Sequence, residues 1–184
     1  MTVDRATLVA ELTATTKASI ATASELSRLS EAQLNQRPKP NAWSALECFE
    51  HLNLYGDFYH PEMEQRMLKA PAAPQASSFK PGRLGNYFVG LIQLKNGSIG
   101  KPMSATKSMT PEPSSLGIQT LDRFLKQQQQ LLGLLEQAQE SDLTRVKTSI
   151  SLAPLVKLRL GDTLRFVVYH NERHVAQAKR AVGA

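Results

Sequence analysis

From residue 169 to residue 177 the chain reads Tyr169-His170-Asn171-Glu172-Arg173-His174-Val175-Ala176-Gln177. Two histidines in this segment are four residues apart, and apolar residues recur around them at helical spacing. Side chains four residues apart in an α-helix lie on neighbouring turns of one face, with Cβ atoms about 6 Å apart. Two imidazoles at that spacing can bind one metal ion. The segment therefore predicts a helix that offers two metal ligands.

This helix is predicted to begin near Gly161-Asp162, where the aspartate suits an N-cap position, and to end near Arg180. Its core-facing stripe is formed by Leu160, Leu164, Val167, Val175 and Ala178. At the edge of the stripe lie Phe166, His170, His174 and Gln177. Both histidines are therefore expected to face the interior of the fold rather than bulk water.

A third histidine lies in the segment Asn41-Ala42-Trp43-Ser44-Ala45-Leu46-Glu47-Cys48-Phe49-Glu50-His51-Leu52. Ser44 and Glu47 have the spacing of a capping box, which satisfies free amides at a helix start. We therefore predict a helix from about residue 44 to residue 69. Glu47, His51 and Tyr55 share one face of it, so a third imidazole could approach the other two.

The histidine pair alone has a second interpretation, because neutral histidines are also found as hydrogen-bonded core residues without a metal. The inward position of His51 on a different helix favours the metal site. His60 precedes Pro61 and falls outside the three-histidine arrangement, so it is left out of the predicted site.

Two further helices are predicted, over about residues 4 to 28 and 116 to 140, from apolar residues at three- and four-residue spacing. Between Pro71 and Gly117 the chain holds six of its ten prolines and six of its ten glycines, which excludes one long regular element. A short helix and an irregular segment both remain open for residues 84 to 94. No strands alternate convincingly. The pattern predicts an all-α four-helix bundle with a long Pro/Gly-rich crossover, at about residues 71 to 115, between the second and third long helices.

Composition is consistent with one domain over residues 1 to 184, since a chain of this length can bury a sizeable core. Cys48 is the single cysteine, and no signal-peptide pattern precedes it, so we expect a reducing, cytoplasmic location. No apolar run approaches the roughly 18 to 20 residues that span a bilayer, so no membrane association is expected.

The net charge of +6 is concentrated in one region, because no acidic residue lies between Glu64 and Glu112. The basic residues of that region are Arg66, Lys69, Lys80, Arg83, Lys95, Lys101 and Lys107. These charges are isolated along the chain and few aromatic residues accompany them. We interpret the region as a solvated loop and expect no nucleic-acid partner.

The two histidine segments resemble the DinB/YfiT-like family, and most closely its DinB-like branch. The first segment is similar to the family's W-S-x-x-E-x-x-x-H-L motif, and the second is similar to its H-x-x-R-H-x-x-Q motif. Both occur in the right order in a chain of the right size. The resemblance implies that His51, His170 and His174 bind one divalent metal ion, with zinc or nickel preferred.

The resemblance also implies a metal-dependent enzyme that acts on a small molecule, as a transferase or isomerase that uses a low-molecular-weight thiol or as a hydrolase-like enzyme. A non-catalytic metal-binding or small-molecule-binding protein is the alternative. A homodimer is expected from the resemblance and from the apolar segment 87 to 92, which is costly to leave in water.

No catalytic residue can be named from the sequence. Glu47 could act as a general base, but its place in the capping box favours a structural role. Tyr55 could donate a proton or simply pack in the core, and Gln177 could orient a ligand or merely lie on the helix surface. Cys48 is expected to be a buried structural thiol, since no cation near it in sequence would lower its pKa.

Overall fold

The computed structural model describes residues 2–70, 77–95, 97–100, 103–112, 116–151 and 153–183. Its helices are α1 (Arg5–Leu26), α2 (Glu31–Asn35), α3 (Ala45–Leu68), α4 (Arg83–Ile92), α5 (Gln119–Ala138) and α6 (Leu160–Ala181). Its strands are β1 (Val3–Asp4), β2 (Ser78–Phe79), β3 (Lys147–Ile150) and β4 (Ala153–Arg159). A single 3₁₀ turn covers Lys107–Met109. The all-α prediction is confirmed, since the structure is mostly helical and the strands in its described ranges form only two small pairs.

The four long helices α1, α3, α5 and α6 pack against one another as a bundle, and α3 contacts both α5 and α6. One half of the core lies around Leu12, Met63, Leu135 and Leu164. The other half lies around Leu46, Phe49, Phe124 and Ala178. These residues repeat at three- and four-residue spacing, so each helix buries a single stripe. The close contact between α3 and α6 brings the two histidine segments to the same part of the bundle.

Helix α3 begins where its capping box predicts. The Ser44 side chain accepts a hydrogen bond from the Glu47 amide at 3.2 Å, and the Glu47 carboxylate accepts one from the Ser44 amide at 2.8 Å. A second capping box joins Ser30 and Gln33 at the start of α2, a five-residue helix that the sequence analysis missed. Helix α2 places Leu34 in the core between α1 and α3.

The predicted start of the last helix was wrong. Helix α6 begins at Leu160, Arg159 occupies the N-cap, and its side chain makes no capping bond. Asp162 is instead the third residue of the helix, and its carboxylate accepts a hydrogen bond from the Gly82 amide at 2.8 Å. The aspartate therefore attaches the start of α4 to α6 rather than capping its own helix.

The sequence analysis found no convincing strands, but the described residues form two short antiparallel pairs, β1 with β2 and β3 with β4. Strands β3 and β4 pair antiparallel as a hairpin, with Lys147 opposite Arg159 and Thr148 opposite Leu158. Strand β3 is only four residues long, and its buried positions, Thr148 and Ile150, alternate with more exposed ones. Such a short alternation is a weak signal in sequence.

The crossover contains a real helix, α4, which packs on α6. Val89 and Ile92 are buried, whereas Leu84, Tyr87 and Leu91 are exposed. The basic residues of the region that the structure describes are exposed, except the partly buried Arg66. Lys101 and residues 71–76, which belong to the predicted crossover, lie outside the described residues. Within the described part of the chain, no helix has the length and apolar character needed to span a bilayer.

Candidate metal centre

The three predicted ligands come together between α3 and α6. His51 lies on the second turn of α3, and His170 and His174 lie on successive turns of α6. Their ligand atoms all lie within 4.8 Å of one another. The Nε2 atoms of His51 and His170 are 3.3 Å apart. Two nitrogens that each bind one zinc ion at about 2.0–2.1 Å would be separated by a similar distance.

The hydrogen bonds of two imidazoles determine which nitrogen faces the centre. His51 Nδ1 lies 2.5 Å from the carbonyl oxygen of Met109, in the 3₁₀ turn. A carbonyl can only accept, so Nδ1 of His51 carries the proton and Nε2 keeps its lone pair. His174 Nδ1 lies 3.0 Å from the side-chain oxygen of Gln177, which has the same effect on His174. Both rings therefore keep the lone pair on Nε2, the atom that could bind a metal ion.

His170 differs from the other two histidines. Its Nδ1 is buried, and within the described residues no hydrogen-bond acceptor is in reach of it. The ring is held by packing instead, stacked on Phe166 with an interplanar angle of 12° and a centroid distance of 5.5 Å. Tyr55 covers it from another side, with ring centroids 4.2 Å apart. These contacts fix the ring with its Nε2 directed at His51.

Burial keeps the three imidazoles neutral. It lowers the pKa of His51 from 6.5 to about 4, although the bond to Met109 acts in the opposite direction. Burial also lowers the pKa of His170 well below 6.5, and the neighbouring His174, His51 and Arg173 lower it further. The same holds for His174, through burial first and then through His51 and Arg173. Neutral imidazole is the form that binds a metal, so at neutral pH all three rings are in the form that can bind a cation.

A pocket of about 570 Å³ adjoins the three histidines. Its apolar wall comes from α3, α4 and α6, and includes Tyr55, Phe88, Leu91, Ile92 and Phe166. Trp43 borders it beside the histidines, with its ring centroid 4.8 Å from His51 and 5.9 Å from His174. A metal ion held by the three histidines would therefore face a space large enough for a small molecule.

The family of the chain is identified by its similarity to known protein families. The family model of the DinB superfamily matches residues 11–178, which include all three histidines and both motifs. The chain belongs to the DinB superfamily. No curated protein and no solved structure gives a significant match.

Glu47 is not among the residues that line the pocket beside the three histidines. Its carboxylate accepts hydrogen bonds from the Ser44 amide and from Arg37, whose Nε lies 3.0 Å away. Arg37 and Glu47 also form an ion pair. The structural interpretation of Glu47 therefore fits the geometry better than the role of a general base.

Of the four other residues considered from the sequence, two contact the histidine cluster and two do not. Gln177 contacts His174, and Tyr55 packs on the other two histidines of the cluster, with ring centroids 4.2 Å from His170 and 4.9 Å from His51. Burial raises the pKa of Tyr55 to about 12, which keeps its hydroxyl protonated. Cys48 is buried in the core, where burial raises the pKa of its thiol. His60 is buried on α3 and does not belong to the three-histidine cluster.

The sequence analysis did not single out Met109, and it quoted Arg173 within the second histidine motif without giving it a role. Met109 contributes a backbone carbonyl, which any residue carries, so no sequence signal could have singled it out. Arg173 lies between the two histidines of α6 and lines the pocket, although it is only 4% exposed. An arginine within an inward-facing helical segment was the signal that could have found it.

Proposed function

We propose that His51, His170 and His174 bind one divalent metal ion, zinc or nickel, within the single domain of residues 1–184. The observation that carries the proposal is the convergence of three neutral imidazoles at the wall of a pocket. Three nitrogen donors with a neighbouring open space are typical of catalytic zinc sites, whereas structural sites have four protein ligands. Imidazole donors also suit nickel.

The proposed activity is that of a metal-dependent enzyme that transfers or isomerises a small molecule with the help of a low-molecular-weight thiol. When bound, a divalent cation supplies Lewis-acid chemistry and lowers the pKa of a thiol or water that reaches it. Met109 and Gln177 hold two of the rings in the required tautomer, and Tyr55 restricts the rotation of His51 and His170. The apolar wall supplies the binding surface and limits access of water.

A second candidate is a non-catalytic metal-binding or small-molecule-binding protein. It is favoured by the composition of the pocket wall, because no aspartate or glutamate is among its described residues. Glu47, the candidate general base from the sequence, is occupied in the capping box. Acid/base catalysis by a carboxylate therefore has no support in this pocket.

Metal analysis of protein purified without a histidine tag tests the proposal. We expect one equivalent of zinc or nickel, which is lost in His170→Ala and retained in His60→Ala, a matched buried histidine outside the cluster. Cobalt is then substituted, and glutathione and cysteine are titrated while the visible spectrum is recorded. A thiol-dependent change in the cobalt spectrum supports the enzyme, metal without a thiol response supports the binding protein, and absence of bound metal contradicts both.

A further inference from the structure

The pocket beside the three histidines has an unusual distribution of charge. Of its lining residues that the structure describes, Arg173 alone carries a full charge. The histidines are neutral, and the remaining wall consists of apolar, aromatic and uncharged polar side chains. The pocket is therefore cationic and mainly apolar. Such a pocket favours a small molecule with one anionic group on an apolar body.

Arg173 is held in place by its neighbours on the pocket wall. Its Nη2 lies 3.5 Å from the carbonyl oxygen of Gly100, which belongs to the crossover. A Cβ atom on Gly100 would come 3.7 Å from Nη1 of Arg173. The guanidinium thus lies between α6 and the crossover, on the same helix as two of the histidines and largely shielded from bulk solvent. A planar guanidinium that is shielded from water binds a carboxylate through two parallel hydrogen bonds.

The position of Arg173 in the chain also relates it to the metal centre. It directly precedes His174 and follows His170 by three residues, so α6 presents both kinds of group to one pocket. A molecule whose anionic end reaches Arg173 would lay its body along Phe88 and Phe166. On α6, His170 lies between Phe166 and Arg173, so such a molecule would pass the histidines along its length.

We propose that Arg173 is a binding residue for the carboxylate of a small carboxylic acid, whose apolar body occupies the wall formed by Phe88 and Phe166. The assignment rests on the proposed function insofar as the pocket is the small-molecule site. A carboxylate is preferred to a phosphate ester because one guanidinium balances one charge, whereas a phosphate monoester carries about −1.5 to −2 at neutral pH.

The test uses phenylacetate and phenylacetamide, which have the same shape and differ in charge. Binding to the whole protein is followed by NMR chemical-shift titration, with and without one equivalent of zinc. We expect wild type to bind the acid roughly ten- to hundredfold more tightly than the amide, also without zinc, because the bond to Arg173 is charge-assisted. Arg173→Gln should abolish this preference and leave amide binding unchanged, and Arg173→Lys should retain part of it.

Arg180→Gln is the matched control, since it removes the same charge from an exposed position on the same helix and should keep the full preference. Equal binding of acid and amide by wild type, or no binding of either, overturns the proposal. So does a preference that survives in Arg173→Gln, or a loss of acid and amide binding together, which would mean that Arg173 only holds the crossover. Tighter binding of phenyl phosphate than of phenylacetate overturns the choice of a carboxylate.

Two further readouts keep the outcomes separate. Arg173→Gln could fail to fold, which circular dichroism would show. In that case the ratio of the affinities for phenylacetate and phenylacetamide, measured for wild type and for Arg173→Lys, decides whether Arg173 binds the carboxylate. If the protein binds no metal, the proposed metal-dependent function is wrong. The ratio of the two affinities measured without zinc still decides whether Arg173 binds the carboxylate.

Discussion

His51 Nδ1 lies 2.5 Å from the carbonyl oxygen of Met109, 58 residues further along the chain. This contact attaches the crossover to the ring whose other nitrogen faces the proposed metal. A cation on Nε2 withdraws electron density from the imidazole and makes Nδ1–H a better donor. Metal binding and order in the 3₁₀ turn around Met109 should therefore be coupled.

The coupling predicts slower hydrogen exchange at the amides of Met109 and Thr110 when zinc is added to metal-free protein. These amides donate to the carbonyls of Thr106 and Lys107, so they report on the turn itself. Exchange measured by mass spectrometry checks this. The amide of Leu12, in the core of α1, serves as the internal control. Equal protection of Met109 and Thr110 with and without zinc would contradict the coupling.

His170→Ala should abolish stoichiometric metal binding while the helical circular dichroism stays close to wild type, because the stripes of the four long helices form the core. The stabilisation that the metal supplies, about 2.7 kcal/mol at a free concentration one hundred times its Kd, should disappear. Thermal unfolding with and without zinc measures it, and His60→Ala should keep the zinc-dependent shift. Collapse of the helical signal in His170→Ala would identify the metal as structural.

Substitutions of Glu47 separate capping from catalysis. Glu47→Gln can still accept the bond from the Ser44 amide and should differ little from wild type in stability. Glu47→Ala loses that bond and should be less stable by about 1 kcal/mol. Urea unfolding provides the comparison, and both variants should bind one metal ion. A loss of the thiol-dependent cobalt spectrum in Glu47→Gln would restore Glu47 as a candidate base.

Acid should destabilise the metal-free protein because its buried histidines resist protonation. Burial lowers the pKa of His51 and of His60 to about 4 in the folded state, against about 6.5 when unfolded. The unfolded chain therefore binds more protons, and the resulting stability, complete above pH 6.5, is lost as the pH falls toward 4.

A substitution of His60 tests how much one buried histidine contributes to this pH dependence, and it leaves the three-histidine cluster unchanged. Each such histidine contributes a slope of up to about 1.4 kcal/mol per pH unit. His60→Gln should reduce the slope of unfolding free energy against pH by about that amount between pH 6 and 5, since Asp57 and Gln130, which interact with His60, are unchanged. An unchanged slope would show that His60 titrates normally in the folded protein.

A homodimer is expected to form through α4. Leu84, Tyr87 and Leu91 are exposed and lie three or four residues apart, so they form one apolar face. Light scattering should give twice 20.3 kDa for wild type and a lower mass for Leu84→Ser combined with Tyr87→Ser. Leu155→Ser removes a still more exposed leucine from the hairpin and should leave the mass unchanged. A wild-type mass of 20.3 kDa at high concentration would exclude the dimer.

The long helices were predictable where local signals define them. The capping box of Ser44 and Glu47 set the start of α3, and apolar spacing set α5 to within a few residues of Gln119–Ala138. The short helix α2 and the short strand β3 were harder to predict. The second capping box, at Ser30 and Gln33, was readable in the sequence but starts a helix of only five residues, too short to show a period. Strand β3 was missed for the same reason.

The site was predictable in its side chains and not in its surroundings. His170 and His174 follow from helical spacing, and His51 follows from its register after the cap. The Met109 carbonyl and the wall from α4 depend on how the crossover folds back, which local spacing does not specify. Asp162 shows the limit of local rules, because its carboxylate binds an amide 80 residues away rather than its own helix end.

The separation of His51 and His170, 119 residues, has a consequence for the order of events during synthesis. A nascent chain that has exposed only α1 to α5 offers one of the three imidazoles and cannot form the three-histidine site. Any metal must therefore enter after α6 has left the ribosome and docked on α3. The metal content of a preparation would then give a lower limit to the fraction of molecules in which this last docking step is complete.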